Sequence, residues 1–356
     1  GRWNHSTIRG VASAIFGVIA GLALGLVIVW FAGENPVQVL KILVRGAFGS
    51  RYDLGMTLFY STPLIFTGLS VAVVFRAGMF NVGAEGQLAV GALAAAAVGM
   101  LFSGCPSIVA IPCACIAACI AGGVWGAIPG WLRARRGSHE VINTIMFNFI
   151  AAGLCSYLAL HPLRNRLSQN PETSEIASQF KLTPFPFFDG APVGWGLLLA
   201  LVVATLVWVF LWKSVTGFEW RAVGRNEDAA RVAGIDVESS RILAFSLAGA
   251  LAGMVGIAEV LGNSGRFRVG FSPEYGFIGI AVALLGRNHP LGVVVAALLF
   301  GALHKGASEL DMESERVTRE LSLIFQGLII LCVSVEGFAN ASLLPGIFKR
   351  RTVEGG

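Results

Sequence analysis

Ten apolar segments divide this chain of 356 residues. Most of them reach about 20 residues, the length that an α-helix needs to cross a hydrocarbon core of ~30 Å. Lipid offers the backbone no hydrogen bonds, so such segments are expected to form a bundle of helices. The predicted fold is all-α, a polytopic membrane protein with about ten transmembrane helices at approximately residues 11–32, 54–75, 83–101, 108–131, 141–160, 194–212, 241–261, 274–286, 290–308 and 320–338.

The composition agrees with this fold class. Hydrophobic residues make up 55% of the chain and charged residues only 13%, which is far from the balance of a soluble domain. A helical membrane bundle of this length is expected to be a single domain, here residues 1–356, surrounded by the lipid bilayer. The net charge of +5 predicts no nucleic-acid partner, because no basic patch is interleaved with stacking aromatic residues.

The segment at residues 274–286 is shorter than the others. A helix of that length does not cross the bilayer by itself, so we expect it to be broken or half-inserted. Irregular backbone at that depth is tolerated only where it lines a cavity or is buried in protein.

The placement of Lys and Arg predicts the orientation of the chain. Most of the basic residues lie on one side if both termini are cytoplasmic. Residues 216–241 then form a cytoplasmic loop, and the proline-rich residues 162–193 form an extracytoplasmic loop. We expect a multi-pass membrane protein, with a binding partner resting on the outer loop.

The cytoplasmic loop, which we call the island (residues 216–241), is charged and lies between two apolar segments. Asn226 is typical of a helix N-cap, and Gly234 is typical of the residue just past a helix C-cap. The sequence predicts a helix of about two turns whose Ala230 faces a partner's groove. The candidate coupling residues are Arg225, Asn226, Glu227, Asp228, Ala229, Ala230, Arg231 and Gly234. An ordinary loop helix is the alternative.

Polar side chains inside apolar segments are costly to bury, so they usually face a pathway or a partner. The candidate pathway residues are Asn81, Glu85, Gln87, Asn143, Thr144 and Asn148. Neutral amides suit solutes rich in hydroxyl groups or bases better than ions. Two structural alternatives stay open, an ion pair between Glu85 and Arg76 and hydrogen bonding between helices.

Glycine recurs at every fourth position in three of the segments, for example at Gly249 and Gly253, which predicts close helix packing. The cysteines of the fourth segment do not have a zinc spacing and no histidine accompanies them. We therefore predict no metal site.

Four runs resemble a known family of membrane proteins. The run DAARVAG at Asp228–Gly234 is similar to the EAA-three-residues-Gly loop of ABC importer permeases, with Asp228 where the family prefers Glu. FRAGMFNVGAEGQLAVGA at Phe75–Ala92 resembles the FNIGxEGQ signature of nucleoside and simple-sugar permeases, and SHEVINTIMFNFIA at Ser138–Ala151 resembles their EVIxTIMLNYIA run. YGFIGIAVALLGRNHPLG at Tyr275–Gly292 is similar to GFDGIAVALLG, with Ile278 in place of Asp.

The resemblance implies a transport subunit of a bacterial inner membrane rather than an enzyme. It implies a separate ATPase subunit that carries ATP and Mg, a second and homologous permease subunit, and an extracytoplasmic substrate-binding protein. This chain itself contains no phosphate-binding G-x-x-x-x-G-K-[ST] loop and is expected to bind no cofactor. Nucleosides are the expected solutes, with ribose-like sugars or branched-chain amino acids as alternatives.

Two other classes of membrane protein are alternative hypotheses that fit the same residues less well. An ion-coupled secondary transporter needs buried acids near the midplane, for which Glu85 and Glu259 are the candidates. An intramembrane enzyme needs a histidine with an acid or a metal cluster within the bilayer. Neither class explains the capped helix of the island.

Overall fold

The computed structural model describes residues 5–102, 104–313 and 320–342, and this part of the chain is built from helices joined by short connections. The α-helices are α1 His5–Phe31, α2 Pro36–Phe48, α3 Arg51–Arg76, α4 Ala84–Leu101, α5 Ser107–Arg136, α6 Glu140–Leu160, α7 Trp195–Lys213, α8 Val215–Arg225, α9 Glu227–Val232, α10 Val237–Gly253, α11 Tyr275–Leu285, α12 Pro290–Glu313 and α13 Leu321–Ser342. A π-helix at Ile257–Ser264 continues α10, and 3₁₀ turns lie at Ser178–Phe180 and Pro186–Phe188.

The predicted all-α polytopic fold is confirmed. Seven helices among the described residues are long and apolar enough to cross a membrane by length and composition, and three shorter apolar helices accompany them. Each of the ten apolar segments predicted from the sequence overlaps one of these helices. The segment expected to be short is α11, whose 11 residues extend about 16 Å, roughly half of the hydrocarbon thickness.

The described residues pack as two compact units, one from residues 5–46 with those described after residue 302, and one from those described between residues 47 and 302. The expectation of a single domain stays a prediction. In the larger unit, α3 is the most buried of the long apolar helices and α6 is among the most exposed. The helix α10 contacts α3, α4 and α5, and α4 also contacts α3 and α5, so these four helices form its centre.

Glycine allows α5 and α10 to pack with their backbones in contact, as the glycine spacing predicts. A Cβ atom on Gly122 would overlap the carbonyl oxygen of Gly249, and a Cβ atom on Gly253 would overlap the carbonyl oxygen of Ala118. Helix association in lipid depends on van der Waals contact, because lipid is as apolar as the side chains. These glycines therefore hold the centre of the larger unit together.

The smaller unit contains an amphipathic helix, α2, that lies outside the ten predicted apolar segments. One face of α2 buries Val39, Ile42 and Leu43 in a cluster with Leu310 and Phe325. The opposite face exposes apolar side chains. The helix escaped detection because its apolar run is interrupted by polar residues and is shorter than a membrane span.

The α5–α10 contact generates a stability prediction. Gly249→Leu would force a side chain into the backbone of Gly122, and overpacking of this kind costs about 1–3 kcal/mol. We expect a lower thermal unfolding midpoint in detergent and a lower yield of monodisperse protein. Gly153→Leu is the matched control, since Gly153 is also a helical glycine but faces open space. Equal unfolding midpoints for the two variants would contradict the packing account.

Candidate functional site

The island folds into two short helices, α8 and α9, joined at Asn226. The Asn226 side chain accepts a hydrogen bond from the Ala229 amide at 3.0 Å, so the predicted N-cap is confirmed. Gly234 has a φ of 84°, in the left-handed region that favours glycine, which confirms its predicted place past the C-cap. The helix between them, α9, has six residues, slightly fewer than two turns.

Ala230 points into the island, so the prediction that it faces a partner's groove is wrong. Its side chain is buried in a small cluster with Val223 of α8 and Val237 of α10. This cluster fixes α9 against its neighbouring helices. The sequence could not reveal the direction, because a helix of less than two turns has too few residues to show an apolar period.

The outward surface of α9 is formed by other residues of the predicted coupling set. Glu227 is half-buried and forms ion pairs with Arg231, at 2.7 Å, and with Arg241. Val232, outside the predicted set, is 91% exposed, although it is apolar. The remaining exposed members are Arg225, Asn226, Asp228, Ala229, Arg231 and Gly234. The island therefore presents a short, rigid, mixed apolar and charged surface.

The connection between α3 and α4 is buried and not helical. Asn81 lies in this connection and therefore outside α4, which contains Glu85. The Asn81 side chain is completely buried and bonds to the Gln87 side chain, to the hydroxyl of Ser70 and to the Gly83 amide. A buried backbone without helical bonds needs such partners. Asn81 and Gln87 supply them here.

Asn148 of α6 clamps the start of α4. Its side-chain oxygen accepts from the Gly86 amide at 2.8 Å, and its side-chain nitrogen donates to the Val82 carbonyl at 2.9 Å. The Gly86 N–H lies in the first turn of α4, where no intrahelical acceptor exists. Asn148 thus joins α6 to the buried connection.

The other two predicted pathway residues bond within their own segment. Asn143 donates to the Ser138 hydroxyl at 2.6 Å, and the buried Thr144 donates to the Glu140 carbonyl at 2.8 Å. Both contacts lie at the N-terminal end of α6. The side chains of Asn143 and Thr144 therefore make no hydrogen bond to Glu85 in the structure. All six predicted pathway residues nevertheless belong to the larger unit.

Glu85 and Arg76 do not form the ion pair considered from the sequence. The Glu85 carboxylate accepts from the Gly276 amide at 2.7 Å, in the first turn of α11. The Arg76 guanidinium instead donates to the carbonyls of Arg287 and Asn288, beyond the C-terminal end of α11. Acidic groups favour the positive N-terminal end of a helix and basic groups the negative C-terminal end. The two residues thus hold opposite ends of one helix.

A second acid contacts the start of α11. Glu259 lies in the π-helix, is 8% exposed, and accepts from the Tyr275 hydroxyl at 3.0 Å. The Ser272 hydroxyl accepts from the Tyr275 amide at 3.0 Å. The beginning of α11 is consequently bonded to α4, to the π-helix and to the segment that precedes it.

A cavity of about 230 Å³ opens beside this helix start. It lies between α4, α6 and residues 267–272. Glu85, Asn148, Ser156 and Ser272 give it polar groups, and Leu88, Phe267 and Phe271 are among its apolar walls. Of the six predicted pathway residues, Glu85 and Asn148 line it.

Residues of the predicted outer loop cover the cavity wall. The amides of Thr173 and Ile176 donate to the carbonyls of Phe267 and Gly265, at 2.9 and 2.8 Å. Arg266 adds ion pairs to Glu172, at 2.8 Å, and to Glu175, at 3.2 Å. The outer loop and the cavity wall are therefore one bonded structure.

The Glu172 carboxylate stays charged within this network. Burial alone would raise its pKa, but hydrogen bonds from Ser168 and Arg266 and the positive charge of Arg266 outweigh burial and lower the pKa. The ion pair is therefore present at neutral pH. Among the described residues, no group of three or more His, Cys, Asp or Glu is arranged to hold a metal ion.

Residues 54–334 match the protein family described as "Branched-chain amino acid transport system / permease component". The chain is similar to the guanosine ABC transporter permease protein NupP of Bacillus subtilis, with 41% identity over 90% of this chain and 92% of the relative. It is 36% identical to the glucose ABC transporter permease protein TsgB13 of Haloferax volcanii, over 94% of this chain and 90% of the relative. It is 34% identical to the nucleoside ABC transporter permease protein NupB of Lactococcus lactis, over 96% of this chain and 95% of the relative.

The Asn148 clamp generates a prediction about stability. Asn148→Leu would leave the Gly86 amide and the Val82 carbonyl without partners, which should lower the free energy of unfolding by about 1–3 kcal/mol. Asn148→Asp keeps the acceptor for the Gly86 amide and loses the donor to the Val82 carbonyl. Its stability should therefore lie between that of the wild type and that of Asn148→Leu. Asn143→Leu is the control, as it removes one bond to a nearby serine. Thermal unfolding in detergent gives the order, and wild-type stability in Asn148→Leu would disprove the clamp.

Proposed function

The chain belongs to the family of branched-chain amino acid transport system permease components, and from this premise we propose that it is the transmembrane subunit of an ATP-driven importer of nucleosides. The observation that carries the proposal is the island, a capped helix with an exposed apolar and charged surface. In this assignment the chain forms the pathway across the membrane. A separate subunit, which binds ATP and Mg, hydrolyses the nucleotide.

The geometry of α9 suits docking into a groove of the ATPase subunit. The helix is held from behind by the Ala230 cluster and from the side by the ion pairs of Glu227. Two of its exposed residues, Asp228 and Ala229, have short side chains, and Arg231 and Val232 lie at its end. A rigid surface loses little conformational freedom on binding, which favours transmission of a movement from the partner.

The residues that line the cavity suit a solute that carries both hydroxyl groups and an aromatic base. The Glu85 carboxylate and the Asn148 and Ser272 side chains offer acceptors and donors for ribose hydroxyls, and the Phe271 ring offers an apolar face for a base. Two of the relatives described above are named as permeases for guanosine or nucleosides. Among the predicted pathway residues, Glu85 and Asn148 are our candidates for contact with solute, and Asn81 and Gln87 for support of the buried connection.

A second permease subunit would complete the pathway. The cavity volume of 230 Å³ is below the roughly 300–1,000 Å³ of complete small-molecule sites. The helix α6, which lines the cavity, also exposes a stripe of large apolar side chains, including Met146, Phe149 and Ile150. We propose that a homologous permease covers part of this stripe and that lipid covers the rest.

The outer loop, residues 162–193, is our candidate surface for an extracytoplasmic binding protein that delivers the solute. Its hydrogen bonds to residues 265–269 connect such a surface to the cavity wall. We propose a bacterial inner membrane with both termini and the island in the cytoplasm, which places this loop outside. The exposed charges of the island and the basic residues at the end of α5 favour that orientation.

The docking surface is tested by Val232→Glu. The side chain is almost fully exposed, so the fold should keep its wild-type unfolding midpoint. A carboxylate on the docking surface should remove most of the ATPase subunit that copurifies with the permease, and with it the stimulation of ATP hydrolysis.

Leu167→Glu is the matched control, because Leu167 is fully exposed but lies in the outer loop. It should leave ATPase recovery unchanged. Ala230→Arg, by contrast, should lower stability as well as recovery, since Ala230 is buried. Wild-type recovery and stimulation in Val232→Glu would refute the assignment of α9.

A further inference from the structure

The turn that follows α11 is held in an unfavourable backbone conformation. Arg287 and Asn288 have φ values of 54° and 53°, two consecutive residues other than glycine in the left-handed region. Residues other than glycine seldom adopt this conformation, and they keep it only where the surroundings fix it. The side-chain oxygen of Asn288 is also buried and has no hydrogen-bond partner among the described residues. This turn is therefore strained.

One side chain binds both carbonyls of the strained turn. Arg76, the last residue of α3, donates through Nε to the Asn288 carbonyl at 2.9 Å and through Nη2 to the Arg287 carbonyl at 3.1 Å. The planar guanidinium matches two adjacent acceptors, which the single ammonium of lysine does not. Arg76 thus fixes the conformation that the turn would otherwise leave.

The same guanidinium contacts α7, the helix that precedes the island. It lies over the ring of Trp212, near the end of α7, with 5.1 Å between Cζ and the ring centroid. Arg221 of α8 lies over the same ring at 5.7 Å. The His289 ring also contacts Trp212, with 4.9 Å between the ring centroids. Burial and, to a smaller extent, the positive charge of Arg76 lower the pKa of His289. The imidazole is therefore neutral at pH 7 and adds no further positive charge.

The backbones of α8 and α3 also meet at this point. A Cβ atom on Gly224 of α8 would overlap the Arg76 carbonyl oxygen, and Gly78, with a φ of 76°, lies against Gly224. Contact between two backbones transmits displacement without the slack of flexible side chains. Because α8 leads into α9 through Asn226, a single helix connects α9 to this contact with Arg76.

The other end of α11 borders the cavity. Gly276 in its first turn donates to Glu85, and Glu85 and Ser272 both line the cavity wall. The contacts therefore run without a gap from α9 through α8 and Arg76 to the strained turn, along α11, and to the cavity.

From these contacts we propose that Arg76 is a positioning residue that transmits the movement of the island to α11. This inference rests on the proposed function as an ATP-driven permease. When α8 and α9 move, Arg76 pulls or releases the carbonyls of Arg287 and Asn288, and α11 changes its position at the cavity. The strain of the turn gives it a second conformation to adopt when the hydrogen bonds are released.

The test is Arg76→Lys in the reconstituted transporter, which keeps the charge and loses the paired hydrogen bonds. ATP-driven guanosine uptake should fall about tenfold or more, the effect of losing one charge-assisted hydrogen bond. The ATPase subunit should still copurify and hydrolyse ATP, so more ATP is consumed per solute. Arg51→Lys is the matched control, because Arg51 begins the same helix and lies over the Phe187 ring at 5.0 Å. It should keep uptake within about twofold of wild type, the effect expected from an exposed cation–π contact.

A second measurement follows the helix itself. Spin labels at Phe277→Cys of α11 and Gly153→Cys of α6, both exposed positions in the larger unit, report their separation in a cysteine-free background. ATP should change this distance in the wild type and leave it unchanged in Arg76→Lys, although hydrolysis continues. A retained distance change, or wild-type uptake per ATP, would overturn the proposal.

The double variant Arg76→Lys with Asn288→Gly separates coupling from folding. Glycine accepts a positive φ, so it relieves strain at the turn. A purely structural role predicts that the double variant regains stability and uptake together, whereas positioning predicts that it regains stability alone. Failure of both variants to fold would assign Arg76 to the fold only and overturn the proposal. Absence of ATP-driven uptake in the wild type would instead refute the proposed function.

Discussion

The short helix α11 depends on hydrogen bonds at both of its ends. Its 11 residues extend about 16 Å, so the helix cannot place both of its ends in water across a hydrocarbon core of ~30 Å, and the protein must satisfy the backbone groups that remain inside. Glu85 and Ser272 accept the first amides, and Arg76 donates to carbonyls just beyond the last turn. The acids lie at the positive end of the helix and the arginine at the negative end. The position of α11 is thus determined by residues of α3 and α4.

The same requirement explains most of the polar side chains within the apolar segments. The buried connection between α3 and α4 has no helical bonds of its own, and Asn81, Gln87 and Asn148 satisfy its backbone groups and the start of α4. Their roles in structure and in transport are therefore not exclusive. Asn148 binds the backbone and also lines the cavity, so a change in that clamp would alter the cavity wall.

The fold was largely predictable from the sequence, whereas the contacts of the site were not. Segment length and hydrophobicity identify the long helices, and Asn226 and Gly234 identify the limits of α9, because these signals are local. The direction of Ala230 and the partner of Arg76 depend on residues far away in the chain. Arg76 bonds to residues 211 and 212 positions later, and no local spacing reveals that contact. The two residues with positive φ in the strained turn are not glycines, so the sequence does not mark them.

The central claim, that ATP on a separate subunit drives nucleosides through this chain, is tested most directly by uptake into proteoliposomes containing the permease complex and its copurifying ATPase. We predict ATP-dependent accumulation of labelled guanosine that vanadate inhibits and that ionophores do not affect. Unlabelled nucleosides should reduce this accumulation more strongly than glucose, ribose or leucine. Uptake driven by an ion gradient without ATP would contradict the account. Competition by a sugar or an amino acid alone would keep the ATP-driven permease and refute the nucleoside assignment.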